Sequence, residues 1–376
     1  MLGKIKTTHY QNLEDFDKLR YAWRALFDEQ KTKSIFLTWE WLYAWWKAYK
    51  NIGTLWLVVI YRNDEVVGIA PLMLLHEWKN GIRFRVLRSL GYPNADESGF
   101  LVKDDAPEVV VAICEYVLAN RSRWDVIDLH EYGMNQTVLQ VIHATFNKAG
   151  MKLDVSYTTH LYVSITNEWE AYLKSLSKHS MQNIERRIRQ VKKEYDFRFV
   201  RYKGEEILEE HLETMFHINE NGAYTDKYES KSERAMHYEL LQLIRDRGWM
   251  EVTFIFLNDK PVAFEYGFNM NGRFEDWRAS FDHNYSKQGL GKSLLYLLMQ
   301  TVFAGGYHEF DFLRGEYSHK SEWNPSRREF VNTVAVKSWH LPARLAFFVF
   351  PTIAKNFKER FSFIFSKTNR NNKTPS

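Results

Sequence analysis

Cysteine is almost missing from this chain. Cys114 stands alone in 376 residues, which rules out an internal disulfide and fits a reducing compartment. It falls in the helical stretch Val109–Leu118, with no His-rich context around it, so a small buried hydrophobe is expected there rather than a catalytic thiol. Long apolar runs are missing as well: none approaches the ~20 residues of a membrane span. Met1-Leu2-Gly3-Lys4-Ile5-Lys6 lacks the apolar core of a secretory leader, so secretion is not expected. The histidines form no metal-ligand spacing, and no metal is assigned. What the chain has in plenty is aromatic residues, 16%, within an ordinary 45% hydrophobic and 26% charged composition, which excludes disorder for most of its length. The length exceeds the ~100–200 residues of a usual domain, so two lobes with separate cores are the natural expectation.

The formal charge of +4 is unevenly placed. From Lys337 to the end eight Lys/Arg face Glu359 alone, so residues 1–336 are slightly acidic, at −3. A nucleic-acid binder lines its folded face with basic residues, so DNA is not an expected partner and a tRNA is disfavoured.

A repeat underlies the sequence. The β-branched and aromatic run Leu55–Tyr61 leads through Asn63-Asp64 into Val66–Leu75, the pattern of a hairpin. Glu251–Leu257, Asn258-Asp259 and Val262–Asn269 repeat it, and a turn at Asn271-Gly272 adds Arg273–Phe281. Helical stretches follow at Pro107–Asn120 and Leu290–Ala304, each succeeded by a strand, Trp124–Leu129 and Tyr307–Phe312. Matching segments in matching order predict a duplicated unit of antiparallel meander, crossing helix and returning strand, an α+β (mixed α/β) architecture. Between the copies, Met181, Ile184, Ile188, Val191 and Tyr195 mark one face of an amphipathic helix. Lys178, Arg186, Arg187, Arg189, Lys192 and Lys193 occupy much of the rest, either as a solvated face or as a wall for an anionic substrate.

The most informative motif is Ser286-Lys287-Gln288-Gly289-Leu290-Gly291-Lys292-Ser293, between a strand ending near Phe281 and a helix. The glycines let backbone N–H groups approach a ligand, and the helix N-terminus favours an anion such as a diphosphate. Lys287 and Lys292 add charge, each contributing about 1–3 kcal/mol in a sheltered site. The spacing is neither that of a P-loop nor that of a dinucleotide fingerprint, so ATP and NAD are poor candidates.

Tyr285–Phe312, with Gly-Leu-Gly-Lys-Ser-Leu-Leu, an apolar helix, Gly306-Tyr307 and a closing strand, resembles the coenzyme A motif of GNAT acyltransferases. Ser286 stands where that family commonly has Gln or Arg. Phe36-Leu37-Thr38-Trp39-Glu40-Trp41 with Trp45-Trp46, and Phe310-Asp311-Phe312-Leu313-Arg314-Gly315 with Lys320 and Trp323, resemble the tandem-GNAT family of cellulose and exopolysaccharide biosynthesis, called BcsL or CelD-like. More distantly the chain is similar to the Fem-type aminoacyltransferases. The resemblance implies two tandem GNAT-like lobes, each a mostly antiparallel sheet flanked by helices. The first spans 1–165 and has no phosphate loop, since Lys103-Asp104-Asp105-Ala106-Pro107 stands in its place. The second spans 166–336 and carries the acyl-CoA site, and a basic aromatic tail covers 337–376.

It further implies direct attack of an amine or hydroxyl on a thioester, aided by a base and a donor for the thiolate. Acetyl-CoA or another acyl-CoA would be held by Lys287, Gln288, Gly289, Leu290, Gly291, Lys292 and Ser293. Glu265, a charge within an apolar-aromatic strand, is the candidate base. Asp311 and Tyr317 are further catalytic candidates, Asp311 having a structural ion pair with Arg314 or Lys320 as its alternative. Trp277, Asp282, Tyr285, Arg314 and Lys320 are candidates for the acceptor, expected to be a sugar or polysaccharide precursor. Asp276 reads as turn chemistry and strand packing. The cluster Trp39, Trp41, Tyr43, Trp45, Trp46 and Tyr49 reads first as core and interlobe packing. Leu345–Phe365 alternates phenylalanines with Lys355, Lys358 and Arg360, suited either to an anionic membrane surface or to a helix packed on the body. The expected location is the cytoplasmic side, with that tail as a peripheral membrane contact. Rival readings are an aminoacyl-tRNA-dependent transferase and a non-catalytic glycan- or partner-binding protein.

Overall fold

A computed structural model describes residues 4–133, 136–166, 168–222 and 230–349. Most of the basic tail, from position 350 on, lies outside the described residues. Its start does not: the chain after Lys337 packs on the body, with Phe347 buried and edge-on to Phe84 at 5.4 Å.

Among the described residues, thirteen strands make one sheet. In the first half they are β1 (Ile5–Tyr10), β2 (Gly53–Arg62), β3 (Glu65–Lys79), β4 (Ile82–Ser89), β5 (Leu101–Val102), β6 (Val126–Tyr132) and β7 (Met151–Ser164). The second half supplies β8 (Phe197–Lys203), β9 (Met250–Leu257), β10 (Lys260–Met270), β11 (Arg273–Phe281), β12 (Glu309–Arg314) and β13 (Ser326–Lys337). Both expected hairpins form. Asn63-Asp64 and Asn258-Asp259 all take positive φ, between 50° and 65°, as two-residue turns matched to strand twist require. β4 adds a strand beyond those expected: Ile82-Arg83-Phe84-Arg85-Val86 alternates apolar and basic residues, as a half-exposed strand does.

The spatial order is β1-β2-β3-β4-β6-β13-β7-β12-β11-β10-β9-β8, with β5 attached to β3. Read from either edge, the two halves present the same sequence of meander and returning strand, so the repeat in the sequence is a repeat in topology. The halves do not keep separate sheets. β13 pairs with β6 of the first half, β7 pairs with β12 of the second, and β13 and β7 pair with each other along twelve positions. One apolar cluster also crosses the boundary: Trp41 of the helix Trp39–Tyr49 lies 6.0 Å from Trp277, and Phe36 lies 5.9 Å from it. Lys47 of the same helix pairs with Glu239 of the helix Lys231–Ile244 at 2.8 Å.

Each half contains one parallel pair, and each separates after three residues. β4 and β6 pair from Val86–Val126 to Arg88–Asp128; β11 and β12 pair from Arg273–Glu309 to Glu275–Asp311. In the first half the wedge is stitched shut, because Ser98 bridges to Tyr132 and its N–H donates to the Glu131 carbonyl at 2.7 Å. In the second half it holds a cavity.

Candidate functional site

The cavity in the β11–β12 wedge measures about 720 Å³, the size of a small-molecule site. Phe264, Phe281, Leu294, Leu295, Phe312 and Trp323 supply apolar wall, and Glu265 and Asp276 put two carboxyl groups among them. At its mouth lie Gly289, Leu290, Gly291 and Lys292, which open the helix Leu290–Ala304, with Arg186 and Arg187 from the helix Lys178–Glu194.

The mouth is formed by a helix N-terminus without a side-chain cap. Gly289 is the N-cap residue, at φ +66° and ψ 37°, and brings no capping side chain. The first-turn N–H groups are therefore left for an external acceptor, with the positive end of the helix dipole behind them. A Cβ on Gly289 would lie 3.0 Å from Arg187, whereas one on Gly291 would make an ordinary 3.6 Å contact with the Phe281 ring. Among the other loop residues, Ser293 Oγ donates to the Gly289 carbonyl at 3.1 Å and Gln288 Nε2 donates to Tyr195 Oη at 3.3 Å. Arg187 donates to the Lys287 carbonyl at 3.2 Å. Lys287, Gln288 and Ser293 thus shape the turn without lining the cavity. Lys292 Nζ rests on Glu322 at 2.6 Å.

The carboxyl pair owes its position to a β-bulge. Tyr266 pairs with Arg278 and Gly267 with Asp276, so Trp277 is an extra residue in β11. Side chains alternate along a strand, and one inserted residue reverses the parity beyond it. Asp276 is thereby turned onto the face of Glu265, while Trp277 points to the interlobe aromatics. Glu265 is 3% exposed and its acidity is strongly suppressed, by burial first and then by the neighbouring Asp276. Burial likewise pushes Asp276 up to about 6, opposed by Lys320 and by a hydrogen bond with Glu265. Asp276 is half-buried in area because the cavity reaches it, yet its Oδ1 touches no solvent and has no hydrogen-bond partner.

The remaining candidates are placed elsewhere. Asp311 is buried behind the wedge, accepting from the Leu313 N–H at 2.8 Å and from Arg328 at 3.2 Å. Rather than Arg314 or Lys320, its ionic partners are Arg328 and Arg273, in a buried cluster with Glu97, Glu275 and Glu309. Within it, burial pushes Glu275 up to about 7 against the pull of Arg273. Tyr317 is 59% exposed and stacks on His319 outside the cavity wall. Arg314 pairs with Asp96 of the first half at 2.9 Å. Lys320 is buried, donating to the carbonyls of Phe312 at 2.7 Å and Arg314 at 2.9 Å, and burial depresses its pKa. Asp282 pairs with Lys260 at 2.9 Å and caps the Asn284 N–H, and Tyr285 packs against Tyr195. Thus Gly289, Leu290, Gly291, Lys292 and Glu265 converge on the cavity. None of Trp277, Asp282, Tyr285, Arg314 or Lys320 lines it, while Asp276, His319 and Trp323 do. Adjacent carboxylates at Glu275 and Asp276 were a usable signal for Asp276: strict alternation would have put one of them on each face of a strand buried on both sides.

Residues 178–321 match the family described as Acetyltransferase (GNAT) domain. The match runs from the helix Lys178–Glu194 through the glycine turn to the end of the wedge, and it supports an acyltransferase. Among solved structures the chain is similar to FemX, with a TM-score of 0.59, 11% identity, and 90% of this chain and 99% of that one covered. It is similar to the C-terminal domain of a putative lysylphosphatidylglycerol synthetase from Agrobacterium fabrum, with a TM-score of 0.52, 8% identity, and coverage of 87% and 94%. The structure of L-PGS from Bacillus licheniformis gives a TM-score of 0.50, 12% identity, and coverage of 81% and 94%. At these identities the likeness is one of fold: mixed α/β, with a mostly antiparallel sheet flanked by helices. No curated protein matches the chain.

Proposed function

We propose that this chain transfers an acyl group, acetyl in the first instance, from acyl-coenzyme A to an amine or hydroxyl of a sugar or cell-envelope polysaccharide precursor. The observation that carries the reading is a single cavity with an uncapped helix N-terminus at its mouth and a carboxyl pair in its wall. The backbone N–H groups after Gly289, with Arg186 and Arg187, suit the diphosphate of coenzyme A. The apolar wedge suits its pantetheine arm, and the carboxyl pair lies where an acceptor's proton must go. Direct attack on the thioester needs no enzyme nucleophile, and the cavity wall offers none of the cysteine type. Asp311 and Tyr317, which do not line the cavity, take no part in this mechanism.

The BcsL/CelD-like resemblance motivates the choice of a polysaccharide precursor as acceptor, and the basic, phenylalanine-rich tail motivates a peripheral contact with the cytoplasmic face of the membrane. Titration calorimetry with acetyl-CoA tests the donor half. Wild type is expected to bind, and Gly289→Glu and Gly291→Glu are expected to lose binding while remaining folded. Absence of heat with every acyl-CoA tried, together with binding of an aminoacyl-tRNA, would replace this reading with a Fem-like one.

A further inference from the structure

Two carboxyl groups that hydrogen-bond to each other inside a protein hold at least one proton between them, because a carboxylate has no donor to offer another. Glu265 and Asp276 are turned to one face of β10 and β11 and line the same cavity, close enough to act as such a pair. The question for the chemistry is which of them is the acid and which the base, and their surroundings differ.

Glu265 lies in the middle of β10, between β9 and β11, paired with Thr253 on one side and Ala279 on the other. Phe264 and Tyr266 flank it in sequence, both buried. The cation that acts on it is Arg201 of β8, already committed to Glu251. Asp276 stands at the first position after β11 leaves β12, so it has no ladder partner on that side. Lys320 of the short helix Ser318–Ser321 acts on it from across the wedge, and Asp311 of β12 opposes that effect. His319, beside Lys320, also lines the cavity. The negative charge is therefore better held on Asp276, and the proton on Glu265.

Accessibility agrees. Asp276 is half-buried and lines the cavity, whereas Glu265 is only 3% exposed, so the N–H or O–H of an acceptor entering the wedge meets the Asp276 carboxylate first.

We infer that Asp276 receives the acceptor's proton and that Glu265 remains protonated, positioning Asp276 by donating a hydrogen bond to it. This rests on the acyl-transfer reading and reverses the role that the sequence assigned to Glu265. In the step, the acceptor's nitrogen or oxygen forms a bond to the thioester carbonyl carbon and its proton passes to the Asp276 carboxylate. The carbon–sulfur bond breaks, and the proton leaves Asp276 for the departing thiolate or for water, restoring the carboxylate. Free thiol and acylated acceptor are the products, with no oxidant or reductant involved.

The test is a carbon-13 carboxyl NMR titration of the full chain, with kinetics alongside. In wild type, a buried carboxyl distinct from that of Glu275 titrates near pH 6, and it is lost in Asp276→Asn and kept in Glu265→Gln. Loss of that signal in Glu265→Gln and its retention in Asp276→Asn would overturn the assignment. With acetyl-CoA as donor and glucosamine as probe acceptor, Asp276→Asn is expected to lower kcat about 100-fold or more, the range of general-base loss. Glu265→Gln, whose amide still donates, is expected to lose less than about tenfold, and equal losses would count against the proposal. Acetyl-CoA affinity, read by calorimetry, stays unchanged in both variants. Its absence in wild type would sink the acyl-transfer reading separately, leaving the titration to decide where the proton sits.

Discussion

Gly289 packs so closely against Arg187 that the space for a side chain is taken: a Cβ there would sit 3.0 Å from both Cδ and Nη1 of the arginine. The same arginine reaches over the turn to the Lys287 carbonyl. The glycine turn is thus shaped by a side chain from the helix that links the two halves.

Gly289→Ala is expected to cost about 1–2 kcal/mol for a left-handed non-glycine residue, and to weaken acetyl-CoA binding as Arg187 is displaced. Gly291→Ala meets only an ordinary contact and lies in the first helical turn, so its stability should change by less than about 1 kcal/mol. Urea denaturation and calorimetry of the two variants check the contrast, and equal effects would show that the turn's conformation is not what matters.

Reversing charge at the mouth, with Arg186→Glu or Arg187→Glu, is expected to weaken acetyl-CoA binding about tenfold or more. Both side chains are exposed, so the wild-type affinity should also fall as salt rises through the range where the Debye length shrinks from about 10 Å to 3 Å. Affinity that ignores both salt and charge reversal would remove the arginines from the site.

Asp276 makes a pH prediction whose sign follows from burial. Its pKa is raised from 3.8 to about 6, so between those values the folded chain holds a proton that the unfolded chain has lost. The contribution of Asp276 to stability therefore falls as pH rises from about 4 to about 6 and is level above. Asp276→Asn should remove that slope and raise stability at pH 7.5 by roughly 1–3 kcal/mol. Glu275, pushed up to about 7, gives a slope of the same sign that persists in the variant. Urea melts at pH 4.5 and 7.5 measure the difference.

Arg273→Met tests the cluster behind the wedge. Arg273 is 6% exposed and lies among Glu275, Glu97 and Asp311. Removing one member of a buried ion group leaves uncompensated charge and costs about 3–5 kcal/mol. A loss below about 1 kcal/mol in urea denaturation would mean that the carboxyls there are already largely protonated.

The hairpins, the glycine turn and the repeat were legible because each is written in neighbouring residues. Asn-Asp takes positive φ wherever it closes a two-residue loop, and β-branched runs show themselves by alternation. The pairing of β4 was not legible, since Arg85 and Arg88 look solvated until Asp125 is found opposite the first, and Glu77 and Asp128 opposite the second. Trp277 reads as a ligand-binding group for a similar reason, since the aromatic cluster that takes it comes from distant parts of the chain; Lys320 is taken by the nearby carbonyls of Phe312 and Arg314 only once the chain after β12 folds back.

By itself the sequence determined the units: two meanders with a helix and a returning strand, a turn open to an anion, and an acidic residue in an apolar strand. Only the tertiary structure decided how they combine. It merged the halves into one sheet, closed the first wedge with Ser98 and left the second open. It also turned Asp276 onto the face of Glu265 by a single extra residue in β11. Local propensity is set by a few adjacent side chains, whereas register, bulges and buried charge pairs depend on which distant strand lies alongside, and that information appears only when the chain has packed.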